Sequence, residues 1–136
     1  FGGGITLAVG FDKTGVSTWI GTLITSFGGG SMVTLTLGGV LFTIFVTELI
    51  SNTALANLAM PILAATAHAL GGDPRLLMTS IGMACSAGFM MPAGTGPNAI
   101  AYGTGRVRMA DMVRAGFVLN LLAWLVITAI TLLRFG

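Results

Sequence analysis

The feature that most constrains this chain is the octapeptide MPAGTGPN at residues 91–98, which lies inside a long apolar region. Pro92 and Pro97 lack a backbone N–H and clash with the preceding helical turn, and the two glycines between them are poor helix formers. A continuous α-helix is therefore excluded here. In a membrane, the backbone groups freed by such a break must be met by protein, water, ions or substrate. With Thr95 and Asn98 inside it, the break is a candidate binding site.

Composition places this break in a membrane. Hydrophobic residues make up 54% of the chain and charged residues only 7%, whereas a soluble domain carries about a quarter charged residues. We therefore predict an integral membrane protein whose main surroundings are the lipid bilayer. The formal net charge of +2 is too small to indicate a nucleic-acid partner, and the single Cys85 excludes an intrachain disulfide.

The apolar sequence divides into three helical units. Residues 32–70 form two helical segments separated by a polar tip at 51–53, and residues 76–105 form a helix broken at 92–98. Residues 115–134 form the last transmembrane helix, which is close to the roughly 20 residues that a span requires; Asn120 within it is expected to hydrogen-bond a neighbour. Because the chain has neither an initiator Met nor a signal peptide, we expect it to be a fragment of a longer protein.

The tip Ser51-Asn52-Thr53 has two interpretations. Glu48 precedes it by one helical turn, and an acidic residue among apolar neighbours is a functional-site candidate. A re-entrant hairpin with its polar tip near the membrane midplane explains this arrangement. Two ordinary spans joined by a plain turn, with Glu48 near the headgroups, explain it equally well, and the pattern alone does not decide between them.

The re-entrant interpretation would bring two interrupted segments together. Secondary transporters use such pairs at their sites, because helix N-terminal N–H groups bind anions and unwound carbonyls bind Na⁺. The tip and the break carry hydroxyl and amide groups but no formal charge. Such a site suits a carboxylate ligand whose charge is balanced by bound cations.

The motifs at these positions resemble a known family. TELISNTA at residues 47–54, followed by PAGTGPNAI at 92–100, is similar to the second repeat of the divalent anion–sodium symporters, which include dicarboxylate, citrate and "I'm not dead yet" carriers. FGGGITLA at 1–8 and MVRAGFVLN at 112–120 also resemble it. The resemblance implies an all-α, elevator-type transporter of two inverted repeats, usually a homodimer. Residues 1–136 would be its C-terminal repeat, the missing N-terminal repeat of the same protein would be its partner, and the hairpin would be re-entrant.

The resemblance also implies which residues form the site. Asn52 and Thr53 at the tip and Thr95 in the break would bind a substrate carboxylate. The coupling Na⁺ would be held by oxygens of Thr47, Ile50, Ser51 or Asn52, and Gly94. Glu48 would support the site rather than bind a ligand directly.

Two glycines depart from the family pattern. Gly96 stands where the family commonly has the first Pro of a Pro-Pro pair, so a looser break could shift geometry or substrate preference. Gly94 replaces a frequent Ala, which we expect to be a milder change.

We therefore predict a secondary active transporter, not an enzyme, that couples Na⁺ to the uptake of di- or tricarboxylates of the succinate, malate, fumarate and citrate class. It would be a multi-pass protein of a bacterial inner membrane. The alternatives are a dicarboxylate exchanger or a related transporter of another anion or of Na⁺/H⁺. A membrane-embedded enzyme is a distant alternative, because Glu48, His68 and Cys85 make no recognisable catalytic set.

Overall fold

The computed structural model describes residues 31–135 without a gap, together with residues 6, 9, 10, 13–16, 19, 22 and 26. Between residues 31 and 135 the chain forms five α-helices: α1 (Met32–Val46), α2 (Asn52–Ala69), α3 (Pro74–Ala84), α4 (Gly96–Gly103) and α5 (Met109–Phe135). No β-strand occurs in this part of the chain. The predicted all-α class is therefore confirmed.

Among the helices of residues 31–135, α5 is long and apolar enough to cross a membrane on its own. It has 27 residues and a mean hydropathy of 2.2 over its most apolar stretch, and it extends about 40 Å at the usual rise per residue. It begins at Met109, six residues before the predicted start at 115. The extra turns are stabilised at the N-terminus by Asp111, which complements the helix dipole and pairs with Arg108 at 2.8 Å (Nε to Oδ2).

A turn at residues 47–51 joins α1 to α2. Both Leu49 N–H and Ile50 N–H donate to the carbonyl of Val46, at 3.0 and 3.3 Å, and so close the turn. The predicted tip at 51–53 therefore falls differently in the structure. Ser51 is the N-cap of α2, without a capping hydrogen bond from its side chain, while Asn52 and Thr53 already belong to the first turn of the helix.

Helix α3 begins at a strong signal and ends early. Asp73 accepts a hydrogen bond from Arg75 N–H at 2.9 Å, and Pro74 occupies the first turn, where its missing N–H costs nothing. The helix ends at Ala84, although the sequence predicted helix up to Met91. The unwound segment is therefore 85–95, not 92–98, because side chains from elsewhere in the fold bind the N–H groups of residues 89–91.

The last three residues of the predicted break belong to α4. Thr95 is its N-cap with extended backbone (φ −146°, ψ 157°), and Gly96, Pro97 and Asn98 form its first turn. Pro97 is compatible with the start of a helix, because proline lacks a backbone N–H and an N–H at this position would have no helical partner.

The core is organised around α3, which packs against α1, α2 and α5, while α5 also packs against α1. Ile44 of α1, Ile81 of α3 and Ile127 of α5 are among its buried members. Two contacts hold α5 close. Trp124 donates its indole N–H to the carbonyl of Leu37 at 2.8 Å, and Gly116 touches the backbone of the unwound segment.

Candidate functional site

The turn and the unwound segment face each other across a cleft of about 330 Å³. We call this the polar cleft; it is lined by Ser51, Asn52, Thr53, Ala93, Gly94, Thr95 and Gly96. None of the seven is charged. Helix α2 begins at Asn52 and helix α4 at Gly96, so two helix N-termini meet at the cleft. Helix N-termini carry partial positive charge and free N–H groups, and both features favour an anion.

The structure brings most of the predicted site residues together. The three predicted substrate-binding residues, Asn52, Thr53 and Thr95, all line the polar cleft, and so do Ser51 and Gly94 from the predicted cation site. Ile50 does not line it and is 43% exposed.

Thr47 lies beside the cleft, in a group of converging oxygens. Its hydroxyl oxygen is 2.6 Å from Asn52 Oδ1 and 2.8 Å from the carbonyl oxygen of Cys85. A hydroxyl carries one proton, so it donates to only one of these acceptors at a time. Thr47 and Cys85 are also the C-cap residues of α1 and α3, and helix C-termini carry partial negative charge. An oxygen cluster of this kind suits a hard cation.

The carboxylate of Glu48 joins three parts of the fold. Its side chain is only 5% exposed. Oε1 accepts hydrogen bonds from Met90 N–H and from Asn120 Nδ2, both at 2.8 Å, while Oε2 accepts from Met91 N–H at 2.9 Å. Asn120 Oδ1 in turn accepts from Phe89 N–H at 3.2 Å. We call this set of four hydrogen bonds the Glu48 bridge, and it ties the turn to the unwound segment and to α5.

The Glu48 bridge contains no cationic side chain. Within the part of the chain that the structure describes, the one ion pair joins Arg108 to Asp111, away from the bridge. The charge of Glu48 is therefore met by N–H donors alone, and hydrogen bonds to an ionised group are stronger than neutral ones.

Gly94 is held in a space that excludes a side chain. A Cβ built at this position would lie 2.8 Å from the carbonyl oxygen of Gly88 and 2.9 Å from Glu48 Oε2. Gly94 in place of the family's frequent Ala was expected to be a milder departure than Gly96. This expectation is wrong for this structure, because the backbone of residue 94 is packed directly against the carboxylate.

The side chain of Asn98 binds two backbone carbonyls of the unwound segment. Its Nδ2 donates to the carbonyls of Gly88 and Met91, both at 3.1 Å. Its own backbone N–H donates to Thr95 Oγ1 at 3.4 Å, which caps α4. Gly96, by contrast, has no atom within 4 Å of a built Cβ, so its lack of a side chain does not set the shape of the segment.

Sequence reasoning left out part of this arrangement. Asn120 was expected to bond a neighbour, and it does, but its partners Glu48 and Phe89 lie 72 and 31 residues away. The carbonyl of Cys85 and the N–H groups of residues 89–91 were not foreseen, because those residues were predicted to be helical. A lone amide in an otherwise apolar span was the available signal for Asn120.

A helical, apolar chain whose interrupted segments meet at an uncharged polar cleft is typical of secondary transporters. The family described as "Sodium:sulfate symporter transmembrane region" matches residues 1–135. The sodium-dependent dicarboxylate transporter SdcS of Staphylococcus saprophyticus is 40% identical over 130 residues, which cover 96% of this chain and 25% of that protein. The transporter of the same name from Staphylococcus aureus is 38% identical over 127 residues, covering 93% and 24%.

The chain therefore belongs to the sodium:sulfate symporter family, the divalent anion–sodium symporters that its motifs resemble. It is an integral membrane protein, as its composition predicted. It spans about a quarter of the length of the relatives that it matches.

Proposed function

We propose that the protein to which this chain belongs is a secondary active transporter that couples Na⁺ to the uptake of small dicarboxylates such as succinate, malate or fumarate. The observation that carries the proposal is the pairing of two opposite electrostatic environments. The N-termini of α2 and α4 meet at the polar cleft, and the C-termini of α1 and α3 meet beside it at Thr47 and Cys85. The two Staphylococcus relatives described above are named sodium-dependent dicarboxylate transporters.

The polar cleft would take one carboxylate of the substrate. Asn52, Thr53 and Thr95 offer hydroxyl and amide groups around it, and the first N–H groups of α2 and α4 add donors and partial positive charge. No Lys or Arg is among the lining residues. A doubly charged substrate bound here would consequently need further positive charge, which coupled cations would supply.

The cation would bind on the oxygen side of the same region. Thr47, Ile50, Ser51 or Asn52, and Gly94 are the ligands that the family resemblance implies. The hydrogen bond from Thr47 Oγ1 to Asn52 Oδ1, at 2.6 Å, holds two of these candidate oxygen ligands side by side. The buried negative charge of Glu48, next to Gly94, also favours a cation nearby.

The architecture that we propose has a re-entrant hairpin at residues 32–70. Helix α1 has 15 residues, which extend about 22 Å, whereas the hydrocarbon core is about 30 Å thick. Its polar end would accordingly stop inside the membrane. We propose further that this chain is one of two inverted repeats in a multi-pass, elevator-type homodimer of a bacterial inner membrane, with substrate and Na⁺ moving together with the hairpin and the broken helix.

The test is uptake of labelled succinate by vesicles that contain the full-length protein. We expect an inward Na⁺ gradient to stimulate uptake, and Asn52→Ala and Thr95→Ala to abolish it at unchanged abundance. Thr104→Ala, on the exposed end of α4, is the matched control and should retain uptake.

The other outcomes separate the alternatives. Uptake that ignores Na⁺ but rises with internal dicarboxylate would indicate an exchanger. Because the family description names sulfate, Na⁺-driven uptake of sulfate without succinate would reassign the substrate. Normal succinate uptake in both alanine variants would refute the assigned site.

A further inference from the structure

We infer that Glu48 and Asn120 are positioning residues that hold the turn and the unwound segment at the separation that forms the polar cleft. The inference deepens the proposed function and rests on it. Neither side chain lines the cleft, so neither is assigned a contact with substrate. Their role would be to fix where Asn52 and Thr95 lie relative to each other.

The donors and acceptors of the Glu48 bridge match one another. Three N–H groups point at a carboxylate, which only accepts hydrogen bonds, and the amide of Asn120 donates with one end and accepts with the other. Replacing either side chain by its acid or amide counterpart changes one atom and preserves the shape. Each replacement turns a donor–acceptor pair into two donors or two acceptors facing each other, so the bridge can be perturbed without creating a cavity.

The position of the bridge connects it to the site. Glu48 directly follows Thr47, and its Oε2 would lie 2.9 Å from a Cβ on Gly94, the residue before Thr95. Two sets of hydrogen bonds link the turn to the unwound segment: Thr47 to the carbonyl of Cys85, and Glu48 to Met90 and Met91. The second set lies nearer in sequence to the residues that line the cleft. Loss of it would let the two sides move apart while the helical core remained.

The experiment is a double-mutant cycle in the full-length transporter with Glu48→Gln, Asn120→Asp and the two combined. Asp111→Asn makes the same acid-to-amide change at an exposed surface pair and is the matched control. Each variant is measured for abundance, for Vmax and KM of succinate uptake, and for the Na⁺ concentration that gives half-maximal uptake.

We expect Glu48→Gln to raise KM and the half-activating Na⁺ concentration about tenfold, as loss of a supporting hydrogen bond does at ion sites. Asn120→Asp alone sets two carboxylates against each other and should have a larger effect. In the Glu48→Gln background the same change should cost much less, because the glutamine amide can turn and donate to the new carboxylate. Asp111→Asn should leave both parameters unchanged.

Two results would overturn the inference. One is a fall in Vmax that follows abundance, with KM and Na⁺ activation unchanged, since that would show a purely structural role. The other is an equal cost of Asn120→Asp in both backgrounds, since the two side chains would then not be coupled. If the wild-type protein takes up no dicarboxylate, the proposed function fails by itself. The same cycle read as melting temperature in detergent then tests whether the bridge exists.

Discussion

Substitution of Gly116 by alanine gives the sharpest test of how α5 meets the unwound segment. On helix propensity alone, alanine in the middle of a helix should stabilise the protein by roughly 0.5–1 kcal/mol. The tertiary structure predicts the opposite sign. A Cβ at this position would overlap the carbonyl of Phe89 and lie 2.5 Å from the Cα of Met90.

The size of the effect follows from that distance. Carbon atoms pack at about 3.5–4.0 Å, so α5 and the unwound segment would have to separate by about 1 Å. Overpacking of this kind costs about 1–3 kcal/mol. The shift would also lengthen the bond from Phe89 N–H to Asn120 Oδ1, which is already 3.2 Å, and a lost hydrogen bond adds about 1 kcal/mol. The net expectation is a destabilisation of about 1–3 kcal/mol after the propensity gain.

The assay is thermal unfolding of the purified full-length protein in detergent. Gly38→Ala is the matched control, because Gly38 is also inside a helix and has no atom within 4 Å of a built Cβ. We expect Gly116→Ala to lower the melting temperature and Gly38→Ala to leave it unchanged or raise it. A melting temperature of Gly116→Ala at or above that of the wild type would refute the close contact between α5 and residues 89–90.

Two further predictions concern the site itself. Gly96→Pro should retain succinate uptake and raise the melting temperature. Residue 96 is the first residue of α4, has open space around it and follows an extended residue, and all three features suit proline. Loss of uptake would show that the N–H of residue 96 is needed. Thr47→Val should raise the half-activating Na⁺ concentration about tenfold whereas Thr47→Ser should not, because only serine keeps the hydroxyl that contacts Asn52 and Cys85. Equal Na⁺ activation in the two variants would remove Thr47 from the cation site.

The sequence predicted those features that depend on interactions between residues close together in the chain. Asp73-Pro74 marks the start of α3, and the Gly-Pro pair at 96–97 marks a helix boundary, because capping and the missing proline N–H act within one turn. The sequence was misleading about where the helix before that pair ends. Residues 85–91 are apolar and Met-rich, and nothing local shows that their N–H groups bind distant side chains.

In the candidate site, too, the sequence predicted some residues, while others were recognised only in the tertiary structure. Ser51, Asn52 and Thr53 and the opposing Gly94 and Thr95 were found from polar residues in apolar surroundings and from the resemblance, and they do line one cleft. The partners of Glu48 were not found. Nor was the contact of Glu48 with residue 94, since both depend on segments more than 40 residues apart in sequence.

The sequence by itself therefore determined the class of protein and the two interrupted stretches. Few charges indicate a membrane, and two prolines with two glycines between them interrupt a helix, whereas the single Pro61 lies inside α2. Only the tertiary structure decided where α3 ends and what surrounds Glu48. Helix α3 ends at Ala84 because the carboxylate of Glu48 and the amide of Asn120 bind the N–H groups of residues 89–91, which are then not available for helical hydrogen bonds. Hydrogen bonds between parts of a chain so far apart leave no periodic trace in the sequence, because they exist only once the helices have packed.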